Sequence, residues 1–347
     1  MRKEQILSVF ALFCLAMPVS MAFAHVGFHT NLLHDGKTAT TLVHTGTGSF
    51  RYESVPNWCQ LPEGAKQLGN THGNIVIDAA GSVYFNTDTK RAIMVYRPDG
   101  SFVRTFGEET VGLHDMILHQ EDGTSFIYAA HLAGHQVVKY ALDGTLLWTL
   151  PWPEESGKYK EAKQYNPTAV TVAPDGSIYV ADGYGQNWIH QYRADRSYVR
   201  SFGGKGQAPG QFQTCHGLRV DTRTSPPTLI VCDRENRRLQ RFSLQGKFIE
   251  ILATGLRRPC HVDFWGDLTV VAELAARVTI LDKDFQVLTH LGDNPNHEQW
   301  AKNPVGPELW QDGVFIAPHG VSFDASGNLY VMDWNRSGRI SKLVWQK

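Results

Sequence analysis

The sequence predicts an all-β fold in which six similar units, each supplying four short strands, stack into a closed ring. Two observations carry this. The segment "APDGSIYVADGYGQNWIHQYRADRSYVRSFG" alternates β-branched and aromatic runs with Gly, Asp and Asn turns, the pattern of consecutive hairpins. The same order of runs and turns returns in "AAGSVYFNTDTKRAIMVYRPDGSFVRTFG", "EDGTSFIYAAHLAGHQVVKYALDGTLLWTL", "PPTLIVCDRENRRLQRFSLQGKFIEIL", "WGDLTVVAELAARVTILDKDFQVLTHLG" and "ASGNLYVMDWNRSGRISKL". Self-similarity at roughly 40–60 residues, with four strands per unit, is the signature of a six-bladed β-propeller, because no unit buries its faces alone.

The elements follow in chain order. Residues 1–24 read as a secretory signal peptide: Arg2 and Lys3, an apolar run from Ile6 to Ala16, then Ala22-Phe23-Ala24. The run is short for a bilayer span, so the expectation is a secreted or periplasmic protein whose mature chain begins at His25. Residues 25–68 are a lead-in, and residues 69–347 the propeller. In the third unit the expected strands are Ala169–Val172, Ile178–Asp182, Trp188–Tyr192 and Tyr198–Phe202. The sixth unit stops after its third strand, at "GRISKLVW", so "SFRYESV" ahead of the first unit is the expected ring-closing strand.

Composition narrows the function classes. Without Arg2, Lys3 and Glu4 the balance is 31 basic to 33 acidic residues, a formal charge of −2. That is not the basic field a nucleic-acid binder needs, and no later stretch is long and apolar enough to span a membrane. A small-molecule or peptide substrate is the expected partner. Cys59, Cys215, Cys232 and Cys260 permit two disulfides in three pairings.

Three histidines recur at one place in the repeat. His114 precedes "DMIL", His216 precedes "GLRV" and His319 precedes "GVSF", in the second, fourth and sixth units. Inner strands line the central channel, so alternate blades would aim three imidazoles at one axis. Three protein ligands with an open fourth position suit zinc, or another imidazole-binding divalent transition metal such as copper. His72 and His261 lie near the first and fifth inner strands and read as turn or hydrogen-bonded core residues. Tyr184 in "DGYGQNW" and Arg234 in "CDRENRR" follow second strands and face the same end of the channel. A phenol beside a metal and a guanidinium is a candidate base. Trp152, Trp300 and Trp310, in the long loops on that face, are candidate pocket walls.

The lettering of the units, above all the third and fourth, resembles the NHL repeat. More specifically, "DGYGQNWIHQY…GQAPGQFQTCHGLRV…VCDRENRRLQRF" is similar to the catalytic core of peptidyl-α-hydroxyglycine α-amidating lyases. The shared motifs are Asp182-Gly183-Tyr184, Pro209-Gly210-Gln211-Phe212 with His216, and Asp233-Arg234-Glu235-Asn236-Arg237-Arg238. The resemblance implies zinc held by His114, His216 and His319, a catalytic Tyr184 and an active-site Arg234. It implies cleavage of a peptidyl-α-hydroxyglycine to a peptide amide and glyoxylate, with a separate monooxygenase as the partner that makes the substrate. Three positions depart from the family: Thr87 stands where an arginine is expected, Ala317 where a methionine is, and Gly320 where a calcium-binding acid is. These departures leave calcium open as a second cofactor. A metal-dependent propeller hydrolase acting on an ester or lactone, and a non-catalytic NHL module, are the competing classes.

Overall fold

The computed structural model describes residues 42–347, so the expected signal peptide and the histidines at positions 25, 29 and 34 lie outside the described residues. Six antiparallel sheets form the blades of a propeller. In the first five, sequence order and spatial order coincide, so each blade is a meander of four strands joined by tight turns. The sixth is built from both ends of the chain: Pro318–Phe323, Leu329–Asp333 and Arg339–Gln346, then Arg51–Val55 and Val43–Thr45 outside them. Tyr52 pairs with Trp345 and Ser54 with Leu343. The expected closing strand is therefore in place, with a second short strand beyond it.

The third blade shows how closely turn chemistry sets strand ends. Ala169–Val172 and Trp188–Tyr192 form as expected, and the last strand runs to Gly203. The second stops at Ala181 because Asp182 turns its carboxylate inward to accept the backbone N–H groups of Asn166 (2.7 Å) and Gln186 (2.6 Å). The outer hairpin of the first blade turns on Asp99, which accepts Ser101 N (2.9 Å), and on Gly100 at φ 85°; a Cβ there would lie 1.7 Å from Trp58 O.

The core is a ring of seams. Tyr84, Ile93, Leu113 and Ile127 fill the space between blades one and two, and Tyr128, Val137, Val170 and Val180 that between two and three. Equivalent buried clusters follow between each later pair. Among the described residues no helix is long and apolar enough to cross a membrane. The four described cysteines are free thiols.

The seam between blades five and six depends on the N-terminal strand. Tyr52 is fully buried among Val270, Val278, Val321 and Leu343, and its hydroxyl donates to Gly327 O (3.2 Å). Tyr52→Ala is expected to lower stability by about 3–5 kcal/mol, the usual range for deleting a buried aromatic side chain. A urea denaturation series checks this, and a loss below about 1 kcal/mol would show that the closing strand contributes little.

Candidate metal centre at the channel mouth

A local irregularity aims the key side chains. In the second blade Leu113 faces His131 and Asp115 faces Ala130, leaving His114 as an unpaired extra residue. The same bulge leaves out His216 between Cys215 and Gly217, and His319 between Pro318 and Gly320. A bulge breaks the strict alternation of a strand and re-aims one side chain. Here it turns three imidazoles into the channel instead of into a blade seam. Gly217 and Gly320 follow two of them for want of space: a Cβ at Gly217 would lie 2.3 Å from Cys260 O, and one at Gly320 2.6 Å from Asn74 Cα.

The rings of His114, His216 and His319 form a nearly equilateral triangle, with centroids 4.8, 4.8 and 4.7 Å apart. Each is braced by the next blade. Nδ1 of His114 donates to Thr168 O (2.7 Å), Nδ1 of His216 to Cys260 O (3.0 Å) and Nδ1 of His319 to Gly73 O (2.8 Å). A carbonyl can only accept, so the proton sits on Nδ1 and the lone pair on Nε2. Burial, the largest cause in each case, holds all three rings well below the ordinary histidine pKa, so they are neutral at pH 7. His319 Nε2 is buried without a hydrogen-bond partner. A neutral, Nδ1-braced imidazole with a free Nε2 is what a transition-metal ligand requires. The donor chemistry therefore suits zinc or a similar ion; the groups whose ligand atoms already lie within 4.8 Å of one another are His72, His114 and His319, and His216, Cys260 and His319.

Tyr184 and Arg234 reach the same point. The Tyr184 hydroxyl lies 3.1 Å from His216 Nε2 and 3.3 Å from His114 Nε2, and Arg234 Nη1 donates to it at 2.9 Å. Tyr184 as a residue is 36% exposed, while its hydroxyl is bonded inside the mouth. Burial raises its pKa, and the Arg234 guanidinium pulls in the opposite direction. A phenolate at Tyr184 thus needs more positive charge than Arg234 alone provides. Arg234 also pairs with Glu235 (2.9 Å), which holds Arg258 in turn (2.7 Å).

Asp182 fixes the loop that presents Tyr184. Besides its two backbone bonds it accepts from the Tyr159 hydroxyl (2.7 Å). Gly183 lies so close to Thr168 and Cys215 that a Cβ would come within 2.5 Å of both. Asp233 and Asp333 repeat the device, accepting Gln213 N (2.8 Å) and Ala317 N (2.7 Å) just ahead of His216 and His319.

Two further residues stand at the mouth: Cys260, expected only as a possible disulfide partner, and His72, expected as a turn or hydrogen-bonded core residue. Cys260 holds the bulge position of the fifth blade, between Pro259 and His261. It groups with His216 and His319, their ligand atoms all within 4.8 Å of one another, and burial pushes its thiol up to about 11. His72 stands against His114 and His319. The structural equivalence of bulges, rather than the spelling "PHG" or "LHD", is the signal for Cys260. His261 is a core residue as read: Asn74 Nδ2 donates to its Nε2 (2.8 Å), and its Nδ1 lies 3.7 Å from Asp115.

The departed family positions have physical accounts. Thr87 is buried and bonded within its own turn, to Thr89 and Arg91 O. Arg91 is drawn away to Gln67 O and Leu68 O, and Lys90 to Glu108 on the surface, so neither brings a cation to the mouth. Ala317 packs with Cys260, Leu274 and Ile316, and that cluster also takes in Trp310 and Trp334. Trp152 does not reach the mouth; it packs with Tyr159 and Tyr165 in the seam between blades two and three. Trp300 is tied to its own loop, donating to Asn294 O (2.9 Å).

The comparisons with known proteins agree with this architecture. No family model matches the chain. It is 30% identical over 255 residues to peptidyl-glycine alpha-amidating monooxygenase B of Xenopus laevis, a match spanning 70% of this chain and 27% of the relative. It is 36% identical over 86 residues to peptidylglycine alpha-amidating monooxygenase of Rattus norvegicus, spanning 23% of this chain and 9% of the relative. The chain thus spans 27% or less of the length of these relatives. Among solved structures, a streptogramin B lyase covers 87% of this chain and 98% of its own (TM-score 0.58, 14% identity). A gluconolactonase from Xanthomonas campestris covers 86% of this chain and 91% of its own (TM-score 0.60, 13% identity). At such identities the structural likeness shows the fold. The chain is an NHL-like six-bladed propeller with distant similarity to the amidating enzymes.

Asp182→Ala is expected to cost about 3 kcal/mol, since it strips partners from two part-buried N–H groups and a buried phenol. Chemical denaturation checks it; a change within about 0.5 kcal/mol would mean that the Tyr184 loop is held by other contacts.

Proposed function

We propose that the chain is an exported, metal-dependent lyase that breaks the C–N bond of an α-hydroxyglycine-type substrate to give an amide and glyoxylate. The observation that carries this is the position of the Tyr184 hydroxyl, within 3.3 Å of two imidazole Nε2 atoms and bonded to Arg234. The distant similarity to proteins named for peptidylglycine amidation supports the substrate class.

Bound at the Nε2 atoms of His114, His216 and His319, a zinc ion would supply Lewis acidity that makes a substrate hydroxyl easier to deprotonate. Tyr184, as phenolate, takes the hydroxyl proton. The O–H electron pair becomes the second bond of the glyoxylate carbonyl, the C–N pair leaves with nitrogen, and nitrogen gains one proton, so the reaction is balanced without an oxidant. Arg234 adds to the ion's pull toward the phenolate form of Tyr184 and offsets the negative charge of phenolate and substrate carboxylate. Burial of the mouth strengthens both effects by excluding water. Trp334, 5.8 Å from His72, suits a peptide-like amide portion. A separate monooxygenase would supply the hydroxylated substrate.

Two measurements test this. Metal content of the purified chain is expected near one ion, lost when His114, His216 or His319 is changed singly to Ala; stoichiometric metal in all three variants would sink the ligand assignment. The zinc-loaded protein, given a peptidyl-α-hydroxyglycine, is expected to release glyoxylate. Tyr184→Phe should lower the rate on the order of 10²–10⁴-fold, the usual contribution of a positioned base. Metal retention with no glyoxylate, or a Tyr184→Phe rate equal to that of the unaltered protein, would rule the reaction out.

A further inference from the structure

One imidazole at the mouth has no part in the reaction above. His72 lies in the irregular opening of the first inner strand, where pairing jumps from Thr71–Thr87 to Ile75–Phe85. Its ring meets His114 edge-on at 4.6 Å and His319 at 4.9 Å, and the ligand atoms of these three residues lie within 4.8 Å of one another. The His114–His319 edge is thus common to two triangles, one completed by His216 and the other by His72.

His72 is also prepared as the others are, but by different chemistry. Its Nδ1 lies 3.3 Å from Asp88 Oδ2. That carboxylate is itself held: Asn70 Nδ2 donates to it (2.7 Å), and Asn303, from the long loop between blades five and six, donates to Asn70 Oδ1 (2.9 Å). A carboxylate at Nδ1 sets the tautomer that leaves Nε2 free and makes that nitrogen a better donor to a metal. Trp334 stands 5.8 Å away and limits how far the ring can swing. His72 differs from the triad in access, its side chain being 19% exposed while the triad residues are 1–3% exposed.

We propose that His72 is a fourth imidazole ligand, filling the remaining coordination position in the resting protein and giving way to substrate there. The inference rests on the metal reading of His114, His216 and His319. Zinc favours four ligands in a closed site and three with an open position in a catalytic one. A partly accessible ligand on a separate carboxylate brace allows exchange between the two states.

X-ray absorption on the zinc-loaded protein counts imidazole ligands without reference to activity. Four are expected in the unaltered protein and three plus an oxygen in His72→Ala. Chelator competition should show zinc held about 10-fold or more weaker in His72→Ala, and weakened in Asp88→Asn, the range seen when a ligand's outer partner is removed. Circular dichroism melts confirm that both variants fold, and Asp88→Asn keeps the test open should His72→Ala fail to. An unchanged ligand count and unchanged affinity in both variants would overturn the role of His72. His319→Ala separates the two readings: zinc lost there but undisturbed by the His72 and Asp88 changes overturns only the fourth ligand, whereas zinc kept in all three overturns the triad as well.

Discussion

The site depends on three hydrogen bonds between blades, from the Nδ1 atoms of His114, His216 and His319 to carbonyls at Thr168, Cys260 and Gly73. Each runs from an even-numbered blade to the next, so the triangle of rings is as regular as the propeller itself. Each bond does two things at once. It sets the tautomer, putting the lone pair on Nε2, and it stops the ring from turning about its side-chain torsions. The bond from His319 to Gly73 crosses from the sixth blade to the first. The N-terminal strand Arg51–Val55, which completes the sixth sheet, therefore supports the geometry of a site it does not touch.

Burial makes the same mouth chemically selective. Water exclusion disfavours charge, which keeps the three imidazoles neutral and able to bind a cation. The same effect raises the Tyr184 pKa, and Arg234 counters it only in part. One physical cause, burial, thus acts on the three imidazoles and on the phenol beside them. Beneath the histidines the channel stays polar. Asp115 accepts Val170 N at 3.1 Å, and burial pushes its carboxyl up to about 7, so it is only partly ionised near neutral pH.

Much of this was legible in the sequence. Strand positions followed from alternation and Gly/Asp turns, and the third blade matched to within a residue at each strand end. His114, His216 and His319 could be picked out because repetition makes equivalent positions visible, and alternate units must point to one axis. Tyr184 and Arg234 followed from the same logic applied to the loops after second strands. The resemblance to amidating lyases added roles to these positions, and at Thr87, Ala317 and Gly320 the chain has its own packing solution.

What the sequence by itself determined, then, is what depends on period: the number of blades, the closing strand and the three alternate-blade histidines that face the axis. The tertiary structure alone decided which neighbours meet there. Cys260 rather than His261 takes the fifth bulge, because a one-residue offset in strand pairing exchanges the side chain facing the channel for the one facing the core. His72 is at the mouth because Asp88 holds it there, and Arg91 is absent because two carbonyls of the lead-in draw it away. Trp334 stands beside the site, 5.8 Å from His72, whereas Trp152 packs into the seam between blades two and three. Such outcomes rest on pairing register and on contacts between segments far apart in the chain, which local patterns do not encode.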